Sequence, residues 1–171
     1  MKGKKLLTRT ALIIALTLGF QYLGPFLSIP PPASNILIGS LVNASLAAAA
    51  VLAGAWSGVV ISVAAPVAAL MQQQIAFPWL VPIIAGGNAV YVLLFGWWYN
   101  RNRGAAVALA SVAKFLLIFL LVSTAVDILV VPRPAAGDLR LMFGWPQLVA
   151  AILGGAAVIP VVRRVSERWS K

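Results

Sequence analysis

The chain contains no cysteine, no histidine and only three acidic residues among 171. Each absence removes a class of chemistry. Without cysteine there is no disulfide, no thiolate nucleophile and no sulfur-ligated metal. Without histidine there is no Ser-His-Asp triad, no imidazole base and no ordinary zinc site. The few carboxylates form no pair for acid–base or metal-assisted catalysis. A phosphate-binding glycine loop with its lysine is also missing, so the chain is not expected to hydrolyse ATP itself. Charge of any sign is scarce, at 9% of residues against about 25% in an ordinary soluble domain. Sixteen charged side chains (13 basic and three acidic) cannot cover the water-facing surface of a soluble protein this size.

What is present is mostly apolar, at 62% of residues. The net charge of +10 alone would suit a nucleic-acid partner, but a basic nucleic-acid-binding domain is not 62% apolar. No nucleic acid is therefore expected. The composition predicts an all-α integral membrane protein in a lipid bilayer, with its cations sorted by side.

A membrane-spanning helix needs about 20 mainly apolar residues. Six such runs are read, at about 6–28, 35–54, 56–75, 79–99, 105–131 and 146–162, within one domain covering residues 1–171. Pro30, Pro31 and Pro32 are expected to stop the first helix, because proline lacks the N–H and clashes in a helix interior. Gly54 to Gly58 leaves room only for a tight turn, which pairs the second and third runs as a helical hairpin. Asn100 to Gly104 is a polar break, and Pro132 to Trp145 reads as the longest loop. The first run starts like a signal peptide, but no small-residue cleavage site follows it, so it is expected to be retained.

The cations give the orientation. Lys2, Lys4, Lys5, Arg9, Arg101, Arg103, Arg163, Arg164, Arg168 and Lys171 all fall on one side of a six-span topology. Arg133 and Arg140 fall on the other, and Lys114 lies within a span. Ten against two places both termini in the cytoplasm. An odd number of spans would split the basic ends across the bilayer.

Small residues recur every fourth position in the first span, at Ala11, Ala15 and Gly19. Such a stripe lets another helix approach closely, either within the bundle or from a partner subunit. Gly39, Asn43 and Ala47 form a similar stripe in the second span.

Polar residues within spans are costly, so each is a candidate site. Asn88 follows Gly86 and Gly87 in the fourth span, and Asn43 lies at a similar depth in the second. An amide offers two donors and two acceptor lone pairs, which suits a polar ligand or a neighbouring helix. Tyr91 shares the Asn88 face at i+3. Lys114 is the most expensive, at roughly 2.5–3.5 kcal/mol for a lysine at a helix centre. Its span is long enough for the side chain to snorkel to the cytoplasm instead. Asp127 lies about 20 Å further along the same helix and roughly 140° around it, so the two do not pair directly. Asp127 can instead meet Arg133, Arg140 or a ligand. Gln72, Gln73 and Gln74 end the third span, with Trp79, Trp145 and Gln147 at the same level. Together Gln74, Trp79, Asn88, Tyr91, Asp127 and Gln147 could wall an outward pocket, with Asn43 and Lys114 as further candidates. No catalytic residue, metal site or cofactor is expected. The stretch Ala55-Trp-Ser-Gly58 is similar to an intramembrane protease motif, but no histidine is available to activate Ser57.

The pattern resembles the S components of energy-coupling factor (ECF) transporters, the substrate-capturing subunits of prokaryotic vitamin and micronutrient importers. The resemblance covers nearly the whole chain. It rests on length, six spans, cytoplasmic termini, the Ala11-Leu-Ile-Ile-Ala15 stretch, the Ile38-Gly-Ser-Leu-Val-Asn43 stretch and Gly86-Gly-Asn88. It implies a small vitamin-like ligand held in an outward pocket, capped by Ile29 to Ser34 and Pro132 to Trp145. It implies docking through Ala11, Ala15 and Gly19 onto a transmembrane coupling subunit joined to two ATPases. It also implies residence in the prokaryotic cytoplasmic membrane. Lys114 and the outer arginines lean towards an anionic or neutral ligand. Two other classes fit parts of the pattern. A scaffold protein of the cell-wall elongation machinery would use the small-residue stripes for partner contacts and needs no pocket. A small secondary carrier is disfavoured by the missing carboxylates.

Overall fold

The computed structural model describes residues 2–27 and 29–169. The described residues are helical apart from short connections, with no strand among them. The helices are α1 (Lys2–Leu23), α2 (Ala33–Leu52), α3 (Ala55–Met71), α4 (Leu80–Tyr99), α5 (Arg103–Ile128), α6 (Arg133–Met142) and α7 (Trp145–Trp169). Five apolar stretches are long enough to cross a membrane: Leu6–Phe26, Ala33–Leu52, Leu80–Tyr99, Arg103–Ile128 and the stretch spanning Arg133–Val165. The apolar α3 is shorter, at 17 residues, or about 26 Å of axis at 1.5 Å per residue. In hydrocarbon the backbone must satisfy its own hydrogen bonds, which is why these apolar runs are helices.

The connections follow local chemistry. The first helix ends earlier than the triple proline predicts: α1 stops at Leu23, and Gly24–Phe26 forms a 3-10 turn. Gly24-Pro25 is the stop, since proline disfavours helical geometry in the residue before it. Ser28, the expected end of the first span, lies outside the described residues. Gly54 turns the chain between α2 and α3 with φ of 87°, a left-handed conformation that glycine adopts without a Cβ penalty. Asn102 caps α5, its side-chain oxygen accepting from the Ala105 amide at 2.9 Å. The longest expected loop is largely a helix. In α6, Ala136 and Leu139 are buried against α4 and α5, while Asp138 and Arg140 face out. Phe143, just after α6, is buried in the same core. The final helix also runs past the expected limit at Val162.

Two apolar cores hold the bundle. One joins α2, α3, α4, α5 and α7 through Leu46, Ile61, Tyr91, Phe95, Val107 and Val158. The other joins α4, α5 and α6 through Leu80, Ile118, Val122 and Leu139. The most extensive helix pair is α2 with α7. It is close because residue 154 is glycine: a Cβ there would collide with the Ser40 carbonyl and lie 2.8 Å from the Ala44 nitrogen and the Asn43 Cβ. Gly154 therefore sets how near α7 comes to Asn43.

A polar cavity with a buried lysine

A cavity of about 180 Å³ opens between α1, α2, α3, α4, α5 and α7. It lies towards the end of the bundle where α1 and α3 finish and α2, α4 and α7 begin. Arg9, Arg101, Arg103, Arg163 and Arg164 lie at or beside the opposite helix ends, whereas Arg133 and Arg140 are on α6 at the cavity end. The rim includes exposed Gln74 and Met142, and the floor is buried.

The floor is built around Lys114. Its side chain is 3% exposed, so it does not snorkel to a surface. Its ammonium donates to Asn43 Oδ1 at 2.5 Å. It also sits 5.4 Å from the centroid of the Tyr91 ring, within reach of a cation–π attraction. An ammonium can only donate, so Asn43 must present its oxygen and keep its NH2 group for another partner. No Asp or Glu lines the cavity, so no carboxylate of the lining neutralises Lys114. Asn88, also 3% exposed, lines the same cavity, and its side chain makes no hydrogen bond to another described residue.

The walls mix apolar and amide surface. Ile38, Val42, Ala65, Pro66, Ile84 and Phe143 supply the apolar part. Gln21 donates through Nε2 to the Ala65 carbonyl at 3.2 Å, and Gln74 donates to the Gln21 carbonyl at 2.9 Å. The buried Oε1 of Gln21 and Nδ2 of Asn35 have no hydrogen-bond partner. Buried polar atoms are normally paired, and both of these belong to cavity-lining residues. A second depression of about 210 Å³ shares Asn35, Ile38 and Gln74 with the cavity and adds Gly24, Pro25 and Ser34.

Of the candidates named from sequence, the structure brings Asn43, Gln74, Asn88, Lys114 and Gln147 to this one cavity. Tyr91 lies beneath it: fully buried, it packs at a tilt against Phe95 and donates its hydroxyl to the Ala151 carbonyl at 3.2 Å. Trp79 does not line the cavity and packs beside Phe77 against the α4–α5–α6 core. Asp127 does not line it either. It forms an exposed ion pair with Arg140 at 2.5 Å, because α5 turns it away from the cavity towards α6. Of the two segments expected to cap the pocket, the second contributes Met142 and Phe143, while residues 29–34 contribute none to the main cavity. Gln21 and Asn35 were not among the candidates. For Gln21 a signal exists: Thr17 and Gln21 lie four residues apart in an apolar run, which puts two polar groups on one helix face.

Ala11, Ala15 and Gly19 lie on the opposite side of α1. All three are exposed, together with Leu12 and Leu16, and a Cβ built on Gly19 meets nothing within 4 Å. The stripe is thus not used for packing inside the bundle.

Among known proteins, no family model, no curated protein and no solved structure matches this chain.

Proposed function

We propose that this chain is the substrate-capturing S component of an ECF-type importer. It is set in the prokaryotic cytoplasmic membrane with six spans and both termini in the cytoplasm. The short α3 is the sixth span in this reading. The observation that carries the proposal is the cavity: buried Lys114, Asn43 and Asn88 at its floor, with hydrogen-bonding capacity that the protein does not use. A membrane protein retains such expensive groups where a ligand completes them. The cavity lies at the bundle end away from the basic helix ends, and therefore outside under the positive-inside rule.

The exposed Ala11–Ala15–Gly19 stripe supports the partner half of the reading. Small residues on an outward helix face allow close approach of another transmembrane helix. The partner is a coupling transmembrane subunit, with ATP hydrolysed by two further subunits. The chain would capture its ligand outside, dock through α1 and topple within the membrane to release the ligand inside. A scaffold protein would share the exposed stripe, but would have no need of the polar cavity.

The test is mass spectrometry of small molecules copurified with the full chain, paired with uptake assays of the Ala11→Trp variant. The expected results are a bound metabolite and lost uptake with ligand binding retained. A chain that carries no small molecule, and whose Ala11→Trp variant still supports uptake, would sink the proposal.

A further inference from the structure

We infer that the cavity selects a small monocarboxylate whose carboxylate and an apolar body of about one ring sit at its floor. This inference deepens the importer reading and rests on it. It starts from the electrostatics of the floor. Lys114 is 3% exposed and meets Asn43 Oδ1 and the Tyr91 ring, but no acid among the described residues. Buried charges are ordinarily paired. Two of the three ammonium N–H groups remain for a ligand, and Asn43 Nδ2 and the Asn88 amide add donors that no protein group uses. No Asp or Glu lines the cavity to repel an anion. Converging donors around one buried cation bind a carboxylate well, since charge-assisted hydrogen bonds are short and strong.

The rest of the cavity sets size and shape. An apolar cavity of about 150 Å³ takes benzene, so about 180 Å³ holds one ring or a short branched chain plus the carboxylate. Val42, Ile84, Pro66 and Phe143 would enclose the apolar body. A cationic ligand would face Lys114.

The experiment uses benzoate and benzamide, which share a ring and a size and differ in charge. Each is titrated against the full chain in lipid nanodiscs, as wild type, Lys114→Met and Asn88→Leu. Wild type should bind benzoate at least tenfold more tightly than benzamide. Lys114→Met should lower benzoate affinity roughly 10- to 150-fold, the value of a hydrogen bond to a charged group, and lower benzamide affinity less, so that the preference for benzoate is lost. Asn88→Leu breaks no hydrogen bond within the protein, so it keeps the test valid if Lys114→Met misfolds; it should weaken benzoate binding with unchanged thermal stability. Equal binding of the two probes, no binding of either, or benzoate affinity indifferent to both substitutions overturns the inference. A neutral or cationic metabolite copurifying with the chain would overturn it while leaving the importer reading in place. Absence of any copurified metabolite together with no probe binding would remove both.

Discussion

Replacing Asn43 by leucine should destabilise the protein, and adding Lys114→Met to the same chain should restore it. The reasoning starts from the 2.5 Å hydrogen bond between the Lys114 ammonium and Asn43 Oδ1. Hydrogen bonds between neutral groups in membrane bundles average about 0.6 kcal/mol. One made to a buried charge is worth about 1.5–3 kcal/mol, and its loss strands the charge. Asn43→Leu removes the acceptor while Lys114 stays 3% exposed, so the charged value applies. For a chain of this length, 1 kcal/mol moves Tm by about 2–4 °C. The single variant should therefore melt roughly 3–12 °C lower. With Lys114→Met present, no charge remains to strand, and removing both partners of a buried pair is close to neutral. The assay is thermal unfolding of the full chain in detergent after exhaustive removal of small molecules, arranged as a double-mutant cycle. A coupling of about 1.5 kcal/mol or more is expected. If the two substitutions instead add to within about 0.5 kcal/mol, as independent sites do, Lys114 is not held by Asn43 and the floor of the cavity is misassigned.

Other consequences are simpler to read. Gly154→Ala places a methyl against the Ser40 carbonyl and the Asn43 Cβ; it should cost about 1–3 kcal/mol by overpacking, measured by unfolding, and weaken ligand binding by moving Asn43. Asp127→Ala should change stability by less than about 1 kcal/mol, because its pair with Arg140 is exposed, and a titration should show unchanged ligand affinity. Ala11→Trp should leave both Tm and ligand binding at wild-type values, because the side chain points out of the bundle; lowered stability would show that α1 packs inward instead.

The helices themselves are legible from composition, since an apolar run of about 20 residues has no other way to satisfy its backbone in lipid. Turns at Gly54 and at Asn100–Gly104 were readable for the same reason. The end of α1 was not placed correctly, because Pro25 breaks the helix before the more conspicuous Pro30–Pro32 run. α6 was missed because Pro132, Pro134 and Gly137 mark the segment as a loop and it is short and polar on average, although its few apolar residues keep helical spacing.

Helix rotation about the axis is where sequence reasoning ran out. In water, a helix announces its inward face by polarity. In a span that is apolar all round, both faces look alike, and only the rare polar residue breaks the tie. Asn43, Asn88 and Lys114 broke it for α2, α4 and α5, and the cavity assembles around them. For Lys114 the sequence left snorkelling open, because that choice depends on an acceptor 71 residues away, on α2. For Asp127 the same ambiguity ran the other way. Its position near the outer end suited a pocket wall, yet α6, unseen in the sequence, brings Arg140 beside it. In α1 both faces were marked at once, small residues on one and Thr17 and Gln21 on the other. Those marks are complementary: the polar pair turns inward, Gln21 to the cavity and Thr17 bonding back to the Ile13 carbonyl, and leaves Ala11, Ala15 and Gly19 facing outward. Under the proposed reading one helix lines the cavity on one face and docks on the other, and a substitution on either face should leave the other's function intact.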